Sequence, residues 1–231
     1  QQPGVRQLEG AQGAGCSALW VYASTRYDDL KAVVYDLTES RSGQHCRTFL
    51  GDWQSKLIYD DYAGYKACFD QGITVLGCMA HARCKFFEVF ASNKSPVAGH
   101  ALDSIKALYR IERKAGRLKA DDRRRLRQKR AVPILDALHV WLKQQRELVP
   151  PGSAIANAVD YSLRRWQAPI RYVDDGHAVI DNNYCENLVR PVELGRKNWL
   201  FAGSLRAGQR AAAVMSLIQS AVLNGHDPYA S

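Results

Sequence analysis

The spacing of apolar residues changes near Val97, and this change limits the folds open to the chain. Before it, short β-branched and aromatic runs alternate with amphipathic stretches; after it, apolar residues recur at helical intervals through Leu148. ALWVYAS (18–24) and KAVVYDLTES (31–40) read as two strands of a hairpin, joined by a polar turn around Tyr27-Asp28-Asp29. SGQHCRTFLGDW then gives a turn and a short helix or irregular piece. SKLIYDD (55–61) predicts a third strand, DYAGYKACFDQG a short helix closed by Gly72, and ITVLGCMA (73–80) a buried strand. HARCKFFEVFASN predicts a helix with Phe86, Phe87 and Phe90 available for one face. The order predicts an α/β fold, a mixed sheet flanked by helices.

In the second half, Leu102, Ile105, Leu108, Tyr109 and Ile111 fit one amphipathic helix. The stretch from Lys119 to Leu148 breaks near Pro133, which a helix start tolerates because the missing N–H has no partner there. Ile134, Leu135, Leu138, Trp141 and Leu142 then form a second apolar stripe, and SAIANAVDYSLRRW begins a third helix at a Ser cap. Boundaries therefore fall at 1–96, 97–175 and 176–231.

Charge is concentrated in the helical part. Of a formal net charge of +9, the interval from Ala101 to Glu147 holds fourteen Lys or Arg against six Asp or Glu, a local balance of +8. A basic surface of that kind usually faces a polyanion, most often nucleic acid; a solvated helix face without a partner is the alternative. Hydrophobic content of 46% and charged content of 24% suit an ordinary soluble domain. No apolar run approaches the roughly 20 residues of a membrane span, and the polar, Gly-rich start is no secretory signal. That start lacks Met, so a processed, trimmed or fragmentary chain is expected. Six scattered cysteines read as reduced thiols in the cytoplasm.

Three places carry possible chemistry. Asp60 and Asp61 end a predicted strand, where α/β folds put their sites and where carboxylates can hold magnesium; a turn acid capping the next helix is the alternative. In DNNYCENLVRPVELGRKNWLFAGS (181–204), Asp181 or its neighbouring Asn residues cap a helix whose first turn carries Glu186. The carboxylates there could hold a cation while Arg190, Arg196 and Lys197 meet a substrate's charge; a capped helix with a solvated basic loop is the alternative. Cys78, His81 and Cys84 have a spacing that allows partial zinc ligation, but a fourth ligand is missing and buried cysteines explain the pattern as well. His81, Arg83 and Lys85 read better as a basic edge near the Asp60 strand end. There is no P-loop, G-x-S-x-G or H-E-x-x-H.

DDYAGY (60–65), CMAHARCKFFE (78–88) and DNNYCENLVRPVELGRKNWLFAGS (181–204) closely resemble the insertion sequence 66 family of transposases, from about Leu19 to the end. The resemblance implies a ribonuclease H-like core, with 1–96 its first part, 97–175 a basic helical insertion, and 176–231 the Glu-bearing helix and C-terminal segment. It implies a DDE triad on two Mg2+ ions that cleaves and transfers DNA ends. Asp60 and Glu186 match the triad's second and third acids. DNA would then be the partner, met by Arg190, Arg196, Lys197, His81, Arg83 and Lys85, with a homo-oligomer as a further expectation. Three positions depart from the family pattern. No Asp precedes Asp28 where the first acid is expected, Asn187 stands where Arg is usual, and Cys84 where a basic residue is usual. A non-catalytic DNA-binding or oligomerising remnant is therefore the competing expectation.

Overall fold

The computed structural model describes residues 4–8, 14–59, 72–195 and 204–228. The predicted short helix before Gly72 and the acids Asp60 and Asp61 lie outside them. The fold is α/β, mostly helical, with two small sheets. The chain divides into two compact units: one holds β1–β3, α1, α8 and α9, the other β4, β5 and everything from α2 to Asn182.

Unit 1 is built on an antiparallel sheet of β1 (Gly4–Leu8), β2 (Ala14–Ala23) and β3 (Val33–Thr38) in the order β1-β2-β3. The expected hairpin is β2–β3, with Trp20 opposite Asp36. β1 was not expected, because its five residues, GVRQL, hold too few apolar positions to show alternation. Trp20 is fully buried and its indole N–H donates to Thr38 Oγ1 at 3.0 Å. A short helix, α1 (Gly43–Leu50), follows with Ser42 as its cap.

The free edge of β3 is covered by side chains of α9 (Leu205–Leu223) rather than by a strand. Tyr35 N–H donates to Ser216 Oγ at 2.9 Å, and Val33 N–H to Ser220 Oγ at 3.1 Å. Lys31 N–H donates to Asn224 Oδ1 at 3.2 Å, and Asn224 returns an N–H to Lys31 O at 2.6 Å. Gln209 donates to Leu37 O at 3.3 Å. An exposed strand edge invites pairing with other chains, and this ladder of side chains occupies it. Leu19, Val33, Tyr35, Leu37, Leu188 and Ala212 form the core beneath.

Unit 2 pairs β4 (Lys56–Tyr59) and β5 (Thr74–Gly77) in parallel and surrounds them with helices. These are α2 (Met79–Asn93), α3 (Pro96–Ala115), α4 (Ala120–Arg130), α5 (Val132–Leu148), α6 (Ala154–Arg164) and α7 (Gln167–Ile170), with a 3-10 turn at Arg171–Asp174. The helix break falls at Ala131, with Pro133 in the first turn of α5; Ser153 caps α6 by accepting from Ala156 N–H. The expected aromatic face of α2 is corrected. Phe86 is 1% exposed and Phe87 51%. Consecutive helical residues point about 100° apart, so Phe86 shares its side with Phe90 and not with Phe87.

The basic stretch is corrected too, because part of it is interior. Arg127 is fully buried and donates to both Glu112 oxygens, at 2.9 and 2.6 Å, and to the carbonyls of Tyr172 and Asp175, at 3.0 and 2.7 Å. Arg123, also buried, donates to Ala115 O and Leu118 O and to Gly176 O. A Cβ on Gly176 would stand 2.0 Å from Ala120 O, so only glycine allows this closeness. α4 thus holds the strip from Tyr172 to Gly176 by satisfying its carbonyls.

Candidate functional site

Glu186 lies in the first turn of α8 (Asn183–Gly195), where a carboxylate is favoured by the helix dipole, and it is solvent-exposed. Unit 1 fixes this helix from below. Leu188 is buried in the core, and Tyr35 Oη donates to Leu188 O at 2.7 Å. Burial, reinforced by Cys185, pushes the Tyr35 phenol up to about 12, so it stays a donor near neutrality. Cys185 Sγ contacts Val21 O at 3.5 Å on β2, and Arg26 lies 5.8 Å over the Tyr184 ring. One face of α8 is anchored while Glu186 and Arg190 face solvent. Arg196 and Lys197, like Asp60, lie outside the described residues.

The residues just before α8 belong to unit 2 and are held there. Asp181 is 5% exposed and accepts from Tyr109 Oη at 2.6 Å. Burial, and then the Asp181 charge and hydrogen bond, raise the Tyr109 phenol far above its ordinary range. Asn182 Oδ1 accepts from the Cys78 thiol at 3.0 Å, and Asn182 N–H returns to Cys78 Sγ at 3.5 Å. Sequence reading assigned these residues to helix capping; a Tyr 72 positions away gives no local signal of the pairing.

The basic residues of α2 occupy different surroundings. His81 is half-buried and lines a cavity, whereas Arg83 and Lys85 are exposed. Residues two apart on a helix point about 200° apart, so Lys85 shares the His81 side and Arg83 does not. Arg83 instead lies 5.7 Å over the exposed Phe87 ring. Cys78, His81 and Cys84 are not a ligand set. Burial pushes the Cys78 thiol up to about 12, against the pull of nearby backbone hydrogen bonds. Cys84 is an exposed free thiol. Among the described residues, no group of three or more His, Cys, Asp or Glu could hold a metal ion.

Sequence reasoning missed the surroundings of His81. A cavity of about 280 Å³ opens in unit 2, with Tyr59, Tyr161 and Trp166 on its walls and Arg164, Arg165 and Arg171 around it. The run Leu163-Arg164-Arg165-Trp166, cations beside an aromatic at a helix end, was its one sequence signal. The wall at β5 is drawn tight: a Cβ on Gly77 would meet Pro169 Cδ at 2.7 Å. Among the described residues, no helix is long and apolar enough to cross a membrane.

Comparison with known proteins gives these features a family. The model described as "Transposase IS66 family" matches residues 4–210. Three proteins of Sinorhizobium fredii (strain NBRC 101917 / NGR234) are similar to the chain. Uncharacterized protein y4hP is 34% identical over 216 residues, covering 86% of this chain and 39% of its own length. Uncharacterized protein y4jD is 34% identical over 206 residues, with 86% and 40% covered. Uncharacterized protein y4qI is 30% identical over 233 residues, with 94% and 43% covered. The chain thus spans about two fifths of the length of these curated relatives. No solved structure matches it. The family match takes in β1 through α8 and the start of α9, Glu186 included: the chain belongs to the IS66 family of transposases.

Proposed function

We propose that the chain is the catalytic part of a DDE transposase with a ribonuclease H-like core, which cleaves DNA and transfers insertion-sequence ends. The observation that carries this reading is Glu186, an exposed acid on the anchored helix α8, inside the family match. Its position suits a metal ligand, since the carboxylate reaches solvent while Leu188 and Cys185 hold the helix. Asp60 and Glu186 would hold divalent magnesium, which when bound supplies activation of water and charge neutralisation at the phosphodiester. The chain's own cations do the rest of the binding. Arg190, Arg196, Lys197, His81, Arg83 and Lys85 would meet DNA phosphates, and affinity would fall steeply with salt.

A second reading is favoured by the exposed cations Arg83, Lys85 and Arg190, which suit a DNA backbone whether or not a metal is held. On that reading this stretch binds DNA, or joins an oligomer, without cutting. Nicking of end-bearing DNA in magnesium separates the two. Activity reduced to background by Glu186→Gln, with duplex binding within about twofold, is the expected outcome of the first reading. Equal nicking by the variant would remove Glu186 from the mechanism. Absence of nicking by the unmodified chain, with salt-sensitive DNA binding retained, would select the second.

A further inference from the structure

The cavity of unit 2 has a composition that the strand-cleavage reading leaves unused. Its floor is the apolar core, with Met79, Phe86 and Leu138 reaching it. Its rim carries Arg164, Arg165 and Arg171, and among the described residues no carboxylate lines it. Arg164 donates to Asp160 O at 3.2 Å and Arg171 to Val75 O at 2.7 Å, so each spends one donor on a backbone carbonyl. A guanidinium has five donors, so most of each fork remains for an anion.

Aromatic faces complete the wall. Trp166 stacks on His139 at 4.6 Å and 6° between planes, which presents a braced flat surface. Arg165 lies 4.3 Å over the Tyr161 ring, an arrangement that joins a cation to a π face. The volume, about 280 Å³, falls just under the roughly 300 Å³ at which pockets for larger ligands begin, so a single planar ring system fits and two do not. The ligand chemistry is therefore a flat, largely apolar body joined to an anionic group.

We propose that this cavity takes one nucleotide, its base against the Trp166–Tyr161 wall and its phosphate on the arginine rim. The same chemistry is offered by a free nucleotide and by the unpaired end of a DNA strand. The inference rests on the transposase reading for its preference for the DNA end. Tyr59, in the cavity wall, directly precedes Asp60 in the chain, and His81 lines the same space.

The test uses the full chain and three probes: a duplex ending in one unpaired fluorescent adenine analogue, the same duplex blunt, and deoxyadenosine monophosphate. Two variants are compared: Ala168→Phe, which narrows the cavity without changing charge, and Arg164→Gln with Arg165→Gln. Both variants should weaken the unpaired-end probe by about tenfold or more, the range set by one base stacked on an aromatic side chain. Ala168→Phe should leave the blunt duplex within about twofold. Should Ala168→Phe fail to fold by circular dichroism, the arginine pair decides, read as loss of the fluorescence change on the unpaired base. Competition by the monophosphate at concentrations comparable to the DNA assigns a free nucleotide as source; weak competition assigns a strand end. Equal affinity for both duplexes, indifferent to the variants, together with no binding of the monophosphate, would overturn the proposal. Failure to bind either duplex at low salt would instead sink the transposase reading, and the monophosphate titration alone would then decide the cavity.

Discussion

Two groups of arginines in unit 2 have contrasting surroundings. On α4, Arg123 and Arg127 are 5% and 0% exposed, and their donors go to Glu112 and to backbone carbonyls. On either side of α7, Arg164 and Arg171 are exposed and stand around a cavity. Both groups add equally to a count of charge. Only the second can meet an anion from outside, because a buried guanidinium has already exchanged water for fixed partners. The comparison teaches that a basic run becomes surface residue by residue: Arg124, Arg125, Lys129 and Arg130 of the same helix are exposed, while Arg123 and Arg127 are not.

The sharpest way to break this contrast is Glu112→Ala. It leaves Arg127 charged in a dry site, a situation that typically costs about 3–5 kcal/mol. Urea unfolding followed by amide exchange in α3 and α4 should show a loss of that order. A loss below about 1 kcal/mol would make Arg127 no different from a surface cation. A smaller effect is expected at the strip α4 holds. Burial pushes the Asp175 carboxyl up, but the Lys56 ammonium and His177 outweigh it, and the net direction is down. A lowered carboxyl contributes stability above its unfolded range, lost as pH falls through the folded value. Lys56→Met should therefore destabilise at neutral pH by less than about 1 kcal/mol, since Lys56 is 46% exposed, and the gap should close in acid. A gap that is constant from neutral to strongly acidic pH would show that the pair contributes no charge interaction. The smallest change in stability is expected for Arg164→Gln, within about 0.5 kcal/mol. The same substitution should lower the salt dependence of DNA binding by about one unit of slope if Arg164 meets a phosphate.

Much of the local structure was legible because its signals are local. The β2–β3 hairpin alternates over a polar turn, α5 begins at a proline its first turn tolerates, and Ser153 caps α6. Glu186 was legible as a first-turn acid for the same reason. What stayed hidden depends on residues far apart in sequence. Arg127 and Glu112 look like ordinary surface charges on two helices until packing turns them toward each other. Asp181 reads as a cap, and nothing near it in sequence announces its hydrogen bond from Tyr109. Phe87 and Phe86 differ by one position and by half a side chain's exposure, which an unaligned apolar count ignores. The cavity escaped notice because its walls come from β4, β5, α2, α6 and α7 together.

The side-chain ladder on β3 has a built-in limit. Its rungs are four residues apart along α9 and its C-cap, at Ser216, Ser220 and Asn224, and two apart along β3 and the residues leading into it, at Tyr35, Val33 and Lys31. Four helical residues advance about 6.0 Å, while two strand residues advance about 6.8 Å. Helix and strand therefore slip by about 0.8 Å per rung, as two rulers with unequal divisions drift apart. Short hydroxyls can follow the drift only near the point of coincidence. At one end of the ladder the longer Asn224 amide takes over; at the other, the next position is Ala212, and Gln209 reaches Leu37 from nearly a turn away. Side-chain length grows where the two repeats fall out of step, and the mismatch sets how much strand a single helix can cover.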